Sequence, residues 1–593
     1  MCGIFGYFDS NKKTILPNTL KKMGDVIEYR GPDEYGCYHD QDSAVALGNQ
    51  RLAILDVEHG QQPFFSDDNS IVVVQNGEIF NHIELAKNLA ADKHPCKTYC
   101  DTETILRLYE RDGIDGVSKL NGMFAIAIYD KNIDTMYLVR DRVGEKPLYF
   151  SHDDGRVVFA SEIKSILQAV DKKSPNPNAI NQFFAFNYVP PPLTMFKGIS
   201  HVMPGTYLKI TNNSVEEFTW WDLSKIKGKQ RTESEWIEEF NATLDDAVRI
   251  RLRSDVPFGA FLSGGVDSSS VVGLMSKHLD TPVNTFCIGF DDPKYDESTF
   301  AQDAANRFGT NHVLEKVRTN MIDLWPMATY HCDQPHGDIS FLPTYKVAQL
   351  ASKKVKMVLT GDGADELFAG YDKYRDFFTD DTGKLSNNEF QSKYLDNISL
   401  FNKESRDQLF SNDFKQQLND LDVTGVIKQL FDKTRGMDRI NQTLYIDTML
   451  LLPGNNLVKP DRMGMAVSIE NRAPFLDYRM ISLAFSMPGG LKLKDGTTKY
   501  LYKKAVTPLI GEDLAYRRKQ MFTVPVGEWF KTDLAEMCED LLLSEQSQMR
   551  GLFNYNYVGE ILRNHQQGVE NNTREIRALV SLENWYKEFF SEV

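Results

Sequence analysis

Long apolar runs are missing from this chain of 593 residues. Stretches such as Ile71-Val72-Val73-Val74 stop after a few residues, far short of the roughly 20 that a bilayer crossing needs, so no membrane partner is expected. The opening residues, Met1-Cys2-Gly3-Ile4, lack a basic stretch followed by an apolar one, and no signal peptide is expected. Positive charge is in deficit. The 67 Lys and Arg stand against 83 Asp and Glu, a net charge of −16. Nucleic-acid binding needs a basic face to neutralise phosphates, so nucleic acid is not an expected partner. The seven cysteines are scattered, odd in number and contain no CxxC pair. That usage gives no support for a disulfide framework or zinc cluster and suits a reducing cytosol, so a cytoplasmic location is expected. Repeats, low-complexity tracts and the G-x-x-x-x-G-K-[ST] phosphate loop are absent as well.

What is present is ordinary globular composition, 41% hydrophobic and 25% charged, in a length that suits two to four domains of about 100–200 residues each. Ser70–Gln75 and Met123–Tyr129 read as buried strands, and Glu103–Arg111 has apolar residues at helical spacing. Composition turns polar and proline-rich around Asp171–Ile180, and Tyr188-Val189-Pro190-Pro191-Pro192 follows, so this stretch is read as a connector. Gly205–Asp222 reads as the last strands of a first unit, and a helix from about Thr232 to Arg251 opens a second. There, Pro257–Leu262, Val283–Gly289 and Val355–Thr360 are strand candidates alternating with helical patterns, which predicts a parallel α/β sheet with its site at the strand carboxyl ends. Beyond Gly370 the pattern is mostly helical, ending in an amphipathic Thr573–Phe590.

Chemistry begins at Cys2. Cysteine is small enough to permit removal of Met1, which would leave a thiol beside its own α-amino group. The amine, with a pKa of about 7.7–8.0, can take the proton of a thiol near 8.5, so one residue supplies nucleophile and base. Downstream lies Ser263-Gly264-Gly265-Val266-Asp267-Ser268-Ser269, between a strand and a helix. Small residues let backbone amides approach a phosphate, a helix start adds its dipole, and Asp267 is placed to hold Mg²⁺. A third string, Thr360-Gly361-Asp362-Gly363-Ala364-Asp365-Glu366, sets carboxylates around two glycines after a strand, with Asp365 a second candidate for the metal and Asp362 a candidate catalytic carboxylate. Lys459 and Arg462 read as solvated or salt-bridged, whereas Lys499 in Gly496-Thr497-Thr498-Lys499-Tyr500 is a candidate phosphate-binding cation.

Five motifs in order resemble the glutaminase domain of class II glutamine amidotransferases: Cys2-Gly3-Ile4-Phe5-Gly6, Arg30-Gly31-Pro32-Asp33, Arg51-Leu52-Ala53-Ile54, Asn76-Gly77-Glu78-Ile79-Phe80-Asn81 and Cys100-Asp101-Thr102-Glu103. The resemblance implies an N-terminal-nucleophile hydrolase fold, an α-β-β-α sandwich. In such a site the Asn76 side chain and the Gly77 amide suit the oxyanion of a thioester intermediate. Arg51 would grip the α-carboxylate of glutamine, Asp101 its α-ammonium, and Glu78 would join the glutamine-binding residues. The Ser263–Ser269 string resembles the loop of ATP pyrophosphatases, which cleave ATP between its α and β phosphates. Together the motifs resemble glutamine-hydrolysing asparagine synthetases over nearly the whole chain, with a glutaminase domain at 1–215 and a synthetase domain with a helical C-terminal part at 216–593.

That resemblance implies that ammonia released at Cys2 passes internally to a second site. There ATP and Mg²⁺ convert the side-chain carboxylate of aspartate into an acyl-adenylate, and ammonia then gives asparagine and AMP. Phe261, Leu262, Ile288 and Gly289 would line the ATP site with Ser263, Gly264, Gly265, Asp267, Ser268, Thr360 and Gly361, and Lys499 would act on phosphate. Family members are often homodimers. Two departures stand out. Thr360 and Asp362 replace the Ser and Glu of the better-known synthetases, and Cys332–Tyr345 replaces their Thr-Thr-x-Arg-type acceptor segment. The latter is similar to a bacterial branch that also holds amidotransferases acting on sugar acids or peptides. Amidation of another carboxylate, such as a uronic acid, therefore stands as an alternative. Ring closure without a glutaminase is opposed by intact Cys2, Arg51, Asn76 and Asp101, whereas a non-enzymatic role would be favoured by Met1 remaining on Cys2.

Overall fold

Most of the early strands are buried along nearly their whole length, so both faces of each sheet must be covered. The computed structural model describes residues 1–290, 296–317, 319–379, 381–418, 423–517 and 525–590. Strands β1 (Cys2–Asp9), β2 (Glu34–Asp40), β3 (Val45–Arg51), β4 (Phe64–Phe65), β5 (Ile71–Ile79) and β6 (Gly122–Asp130) are followed by β7 (Thr135–Arg140), β8 (Tyr149–Asp153), β9 (Arg156–Ala160), β10 (Ile199–His201), β11 (Thr206–Ile210) and β12 (Val215–Thr219). They form one antiparallel sheet in the order β10-β8-β9-β1-β3-β2 and a second in the order β12-β11-β7-β6-β5-β4. Ile4, Phe8, Val45 and Leu47 of the first sheet interdigitate with Val72, Val74, Ala127 and Leu138 of the second.

Because side chains alternate, each sheet has a second apolar face that a helix must cover. Leu20 and Met23 of the Pro17–Asp25 helix pack on Phe5 and Tyr7. Leu85 and Leu89 of His82–Ala91, with Ile105 and Leu108 of Asp101–Asp112, cover Val73 and Phe124. The result is the expected α-β-β-α sandwich. The expected connector differs in part: Pro177–Phe186 is a helix, because proline is tolerated in a first turn and Asn176 caps it by accepting from the Asn178 and Ala179 amides.

The Glu233–Arg251 helix opens the second unit with a capping box between Thr232 and Glu235. Next come β13 (Phe258–Phe261), β14 (Asn284–Phe290), β15 (Asn311–Val317), β16 (Met357–Leu359) and β17 (Glu470–Arg472), all parallel, in the order β15-β14-β13-β16-β17. The chain moves outward from β13 to β15, then returns to place β16 on the other side of β13. This reversal opens a crevice at the carboxyl ends of β13 and β16, where ligands of such sheets bind. Three-residue β17 is not legible in the helical stretch that contains it. A π-helix over Asp447–Asn456, with Pro453 inside it, is also unforeseen. The Thr573–Phe590 helix closes the fold as expected, with Trp585 buried and bonded through Nε1 to the Asp333 carbonyl at 3.0 Å. Among the described residues no helix is long and apolar enough to cross a membrane.

Candidate active sites

Pairing of β1 with β3 sets Cys2 directly opposite Arg51. The Cys2 amide nitrogen donates to Asn76 Oδ1 at 3.1 Å, so the atom that becomes the α-amine when Met1 is removed already rests on Asn76. Asn76 Nδ2 lies 3.4 Å from Ser161 Oγ, and Arg30 Nε donates to the Cys2 carbonyl at 3.1 Å. Burial pushes the Cys2 thiol up, against the neighbouring terminal ammonium, the Leu52 amide and Arg51. Gly77 has φ of +149°, and a Cβ there would stand 2.0 Å from the Met123 carbonyl oxygen, so glycine is required by both backbone and space.

The remaining predicted glutamine-site residues serve the local frame in this structure. Arg51 donates to the Leu55 and Asp56 carbonyls at 2.9 and 2.8 Å and to Glu34 at 2.8 Å, shaping the loop beside Cys2. Asp101 accepts from the Ile79 amide at 2.8 Å and from Gln75 at 3.0 Å, tying a helix start to the Asn76–Ile79 strand end. Glu78 turns to the second unit, where Arg472 Nη2 lies 3.0 Å away. Burial, then the Asp101 charge, drive Glu78 well above the ordinary carboxylate range against the pull of Arg472. Sequence reading missed Asn49 and Gln62, which border the thiol. Gln62 Nε2 is 4.0 Å from Sγ, and Asn49 Nδ2 donates to Gln62 Oε1 at 3.2 Å. No motif spacing signals either residue.

At the second crevice, the two glycine-bearing loops touch. A Cβ on Gly361 would lie 2.6 Å from the Asp267 Cβ, so its absence lets the acidic loop meet the start of the Val266–His278 helix. Within the first loop the Ser263 amide and hydroxyl both lie 3.2 Å from Ser268 Oγ, which in turn donates to the Gly265 carbonyl at 3.3 Å. Leu262 and Ile288 are buried beside it, with the Leu262 amide bonded to the Phe286 carbonyl at 3.0 Å.

Lys499 sits between the two metal candidates. Its Nζ is 2.6 Å from Asp267 Oδ1 and 2.8 Å from Asp365 Oδ1. Burial alone would lower this lysine, but the two carboxylates hold it above its ordinary value and hence charged. Two carboxylates from separate loops thus converge on one cation. Hard oxygen donors in that arrangement fit Mg²⁺, and the Lys499 ammonium stands where such an ion would be held. Asp362 accepts the Thr360 hydroxyl at 2.7 Å, and burial pushes its carboxyl up. Lys459 reaches Ser340 Oγ at 2.8 Å and Asp338 at 3.3 Å, joining the Cys332–Tyr345 segment to this site.

Lys459 and Arg462 are salt-bridged rather than solvated, and Arg462 belongs to a buried ionic junction between the units. Arg462 and Arg30 each lie 2.8 Å from Glu162, and Arg30 is also 2.9 Å from Asp461. Nearby, the Met1 ammonium lies 2.6 Å from Glu470 Oε2, while Arg472 Nε lies 2.5 Å from Glu470 Oε1. A small cavity between the units is lined by Arg140, Gly144, Glu145, Pro147 and Tyr149 on one side and Pro453, Leu457, Val458, Asp461 and Arg462 on the other. Replacing Arg472 by methionine takes the guanidinium from both Glu78 and Glu470, leaving Glu470 the Met1 ammonium alone, and a loss of about 3 kcal/mol is expected. The thermal midpoint should fall, and an unchanged midpoint would remove Arg472 from the junction.

The profile of the family described as asparagine synthase matches residues 239–587, and that of a glutamine amidotransferase domain matches residues 1–221. Asparagine synthetase [glutamine-hydrolyzing] 1 of Bacillus subtilis is 32% identical over 99% of this chain and 96% of its own length. A putative asparagine synthetase [glutamine-hydrolyzing] 2 of Methanocaldococcus jannaschii is 37% identical over 63% of this chain and 76% of its own. Amidase chyE of Penicillium rubens is 29% identical over 94% of both chains. With an α-β-β-α sandwich bearing Cys2 at its first strand and a parallel sheet bearing a glycine loop and paired aspartates, this chain belongs to the asparagine synthase family.

Proposed function

We propose that the chain makes an amide from glutamine nitrogen, ATP and a carboxylate, and that the carboxylate is aspartate. The observation that carries this reading is the convergence of Asp267 and Asp365 on one cation, against the glycine loop, in a chain whose first strand presents Cys2 to Asn76. Once Met1 is removed, the Cys2 amine takes the thiol proton and sulfur attacks the glutamine side-chain carbonyl. Ammonia leaves, and water releases glutamate from the thioester. Asn76 and Gly77 face the oxyanion, while Arg51 and Asp101, already fixed by their neighbours, bind the amino-acid end.

At the other site Ser263, Gly264, Gly265 and Ser268 bind the phosphates. Asp267 and Asp365 would hold Mg²⁺, which would neutralise triphosphate charge, and Lys499 would then turn from the carboxylates to phosphate. An oxygen of the acceptor carboxylate attacks the α-phosphorus and pyrophosphate leaves. Ammonia then attacks the acyl carbon, Asp362 takes its proton and AMP departs. A closed passage between the sites is needed, because free ammonium is not nucleophilic and water would destroy the adenylate.

The test is to incubate the protein with glutamine, Mg²⁺-ATP and aspartate and to follow asparagine, AMP and pyrophosphate by mass spectrometry. All three products together are expected. Glutamate without asparagine would sink aspartate as acceptor and move the search to other carboxylates such as uronic acids, for which the divergent Asp338–Ser340 contact with Lys459 is the first place to look.

A further inference from the structure

Arg517 lies just past the Glu512–Tyr516 helix, outside every motif read from the sequence, yet it reaches back to the pyrophosphate loop. Its Nε donates to the Gly264 carbonyl at 2.8 Å. Nη2 donates to the Ser263 carbonyl at 3.4 Å and to Glu297 Oε1 at 3.0 Å. The guanidinium also lies over the Phe300 ring, 4.5 Å from its centroid, and only 10% of the side chain is exposed. Gly264 itself has φ of +70°, and a Cβ there would stand 2.3 Å from the Phe300 carbonyl carbon, so the loop is pressed directly against the Ser298–Phe308 helix.

In a trans peptide the C=O and the following N–H point to opposite sides of the chain. Holding the Ser263 and Gly264 carbonyls on the arginine therefore turns the Gly264 and Gly265 N–H groups the other way. Of these, the Gly265 N–H makes only a long 3.4 Å contact with Ser263 Oγ, which leaves it available to an anion. Freed from the guanidinium, either peptide can rotate and present its carbonyl, the negative end of its dipole, to the phosphates instead.

We propose that Arg517 is a positioning residue for the nucleotide triphosphate and the departing pyrophosphate. It clamps two loop carbonyls so that the amides face the phosphates, and its rigid fork, backed by Glu297 and Phe300, keeps that shape without ligand. The remaining nitrogen, Nη1, is buried with no hydrogen-bond partner among the described residues, so the cation behind the loop is not neutralised on that side. This inference rests on the ATP reading above.

The test uses the full chain with saturating ammonium and acceptor. Arg517→Gln and Arg517→Lys are each expected to raise the KM for ATP and the inhibition constant for pyrophosphate together, by about tenfold or more, from loss of paired bonds to a charged donor. Lysine keeps the charge but cannot span both carbonyls and Glu297, so it should not rescue. Thermal midpoint and ATP-free glutamine hydrolysis report folding. Glu297→Gln loosens one anchor and is expected to move both constants the same way by a smaller factor, which decides the matter should the Arg517 variants not fold. Wild-type constants in Arg517→Gln, or in Glu297→Gln if only that variant folds, would overturn the proposal, as would full rescue by lysine. Absence of pyrophosphate release from the unmodified protein would instead overturn the ATP reading itself.

Discussion

Cys2→Ala is expected to abolish glutamine-dependent synthesis while synthesis from added ammonium survives. The thiol is the only nucleophile that the proposed thioester route can use. Asn76 and the Arg30 contact act on the Cys2 backbone rather than on its side chain, so the substitution leaves their geometry in place. Loss of the attacking atom in a covalent mechanism costs about 10⁴-fold or more, because the groups around it have nothing to assist. The proposed adenylate site is built from β13, β16 and their loops, none of which uses the thiol. Glutamate release should therefore fall to background, whereas amide formation from high ammonium at alkaline pH should stay within a small factor of the parent rate. Loss of both activities in a folded variant would contradict the division into two sites. A mature chain still carrying Met1 should behave like Cys2→Ala, because its ammonium is then spent on Glu470 and the Cys2 nitrogen is an amide.

Asp267→Asn is expected to do the converse. The side chain stays the same size and can still face Lys499, but the cation position between Asp267 and Asp365 loses one of its two charges. If Mg²⁺ supplies several kcal/mol of charge stabilisation to the departing pyrophosphate, weakening its hold costs about a thousandfold in ATP-dependent turnover. Glutamine hydrolysis should persist, uncoupled from synthesis. Chelation with excess EDTA should reproduce the same split in the unmodified protein. Pyrophosphate release at the parent rate from Asp267→Asn would overturn the metal assignment.

Legibility followed locality. The Glu233–Arg251 helix was readable because its cap, its first-turn acids and its apolar spacing lie within one stretch. The same holds for β5 and β6, whose apolar runs are buried on both faces of a sandwich. The Pro177–Phe186 helix was obscured because proline reads as a breaker until its place in the first turn is known. β17 is three residues long, too short for any period, and becomes a strand only because β16 supplies its partner.

The sites divide the same way. Cys2, the glycine loop and the acidic loop are short strings whose residue types suggest their chemistry, so sequence alone was enough to propose two reaction centres and to determine the order of the two domains. Tertiary structure decided which groups share a charge. It set Lys499 between Asp267 and Asp365, bonded Arg30 to Glu162 and Asp461, and turned Glu78 to Arg472. It also folded Arg517 back onto a loop hundreds of residues upstream. The physical reason is that a buried ion must find a counter-charge wherever packing brings one within about 4 Å, and that separation bears no relation to distance along the chain.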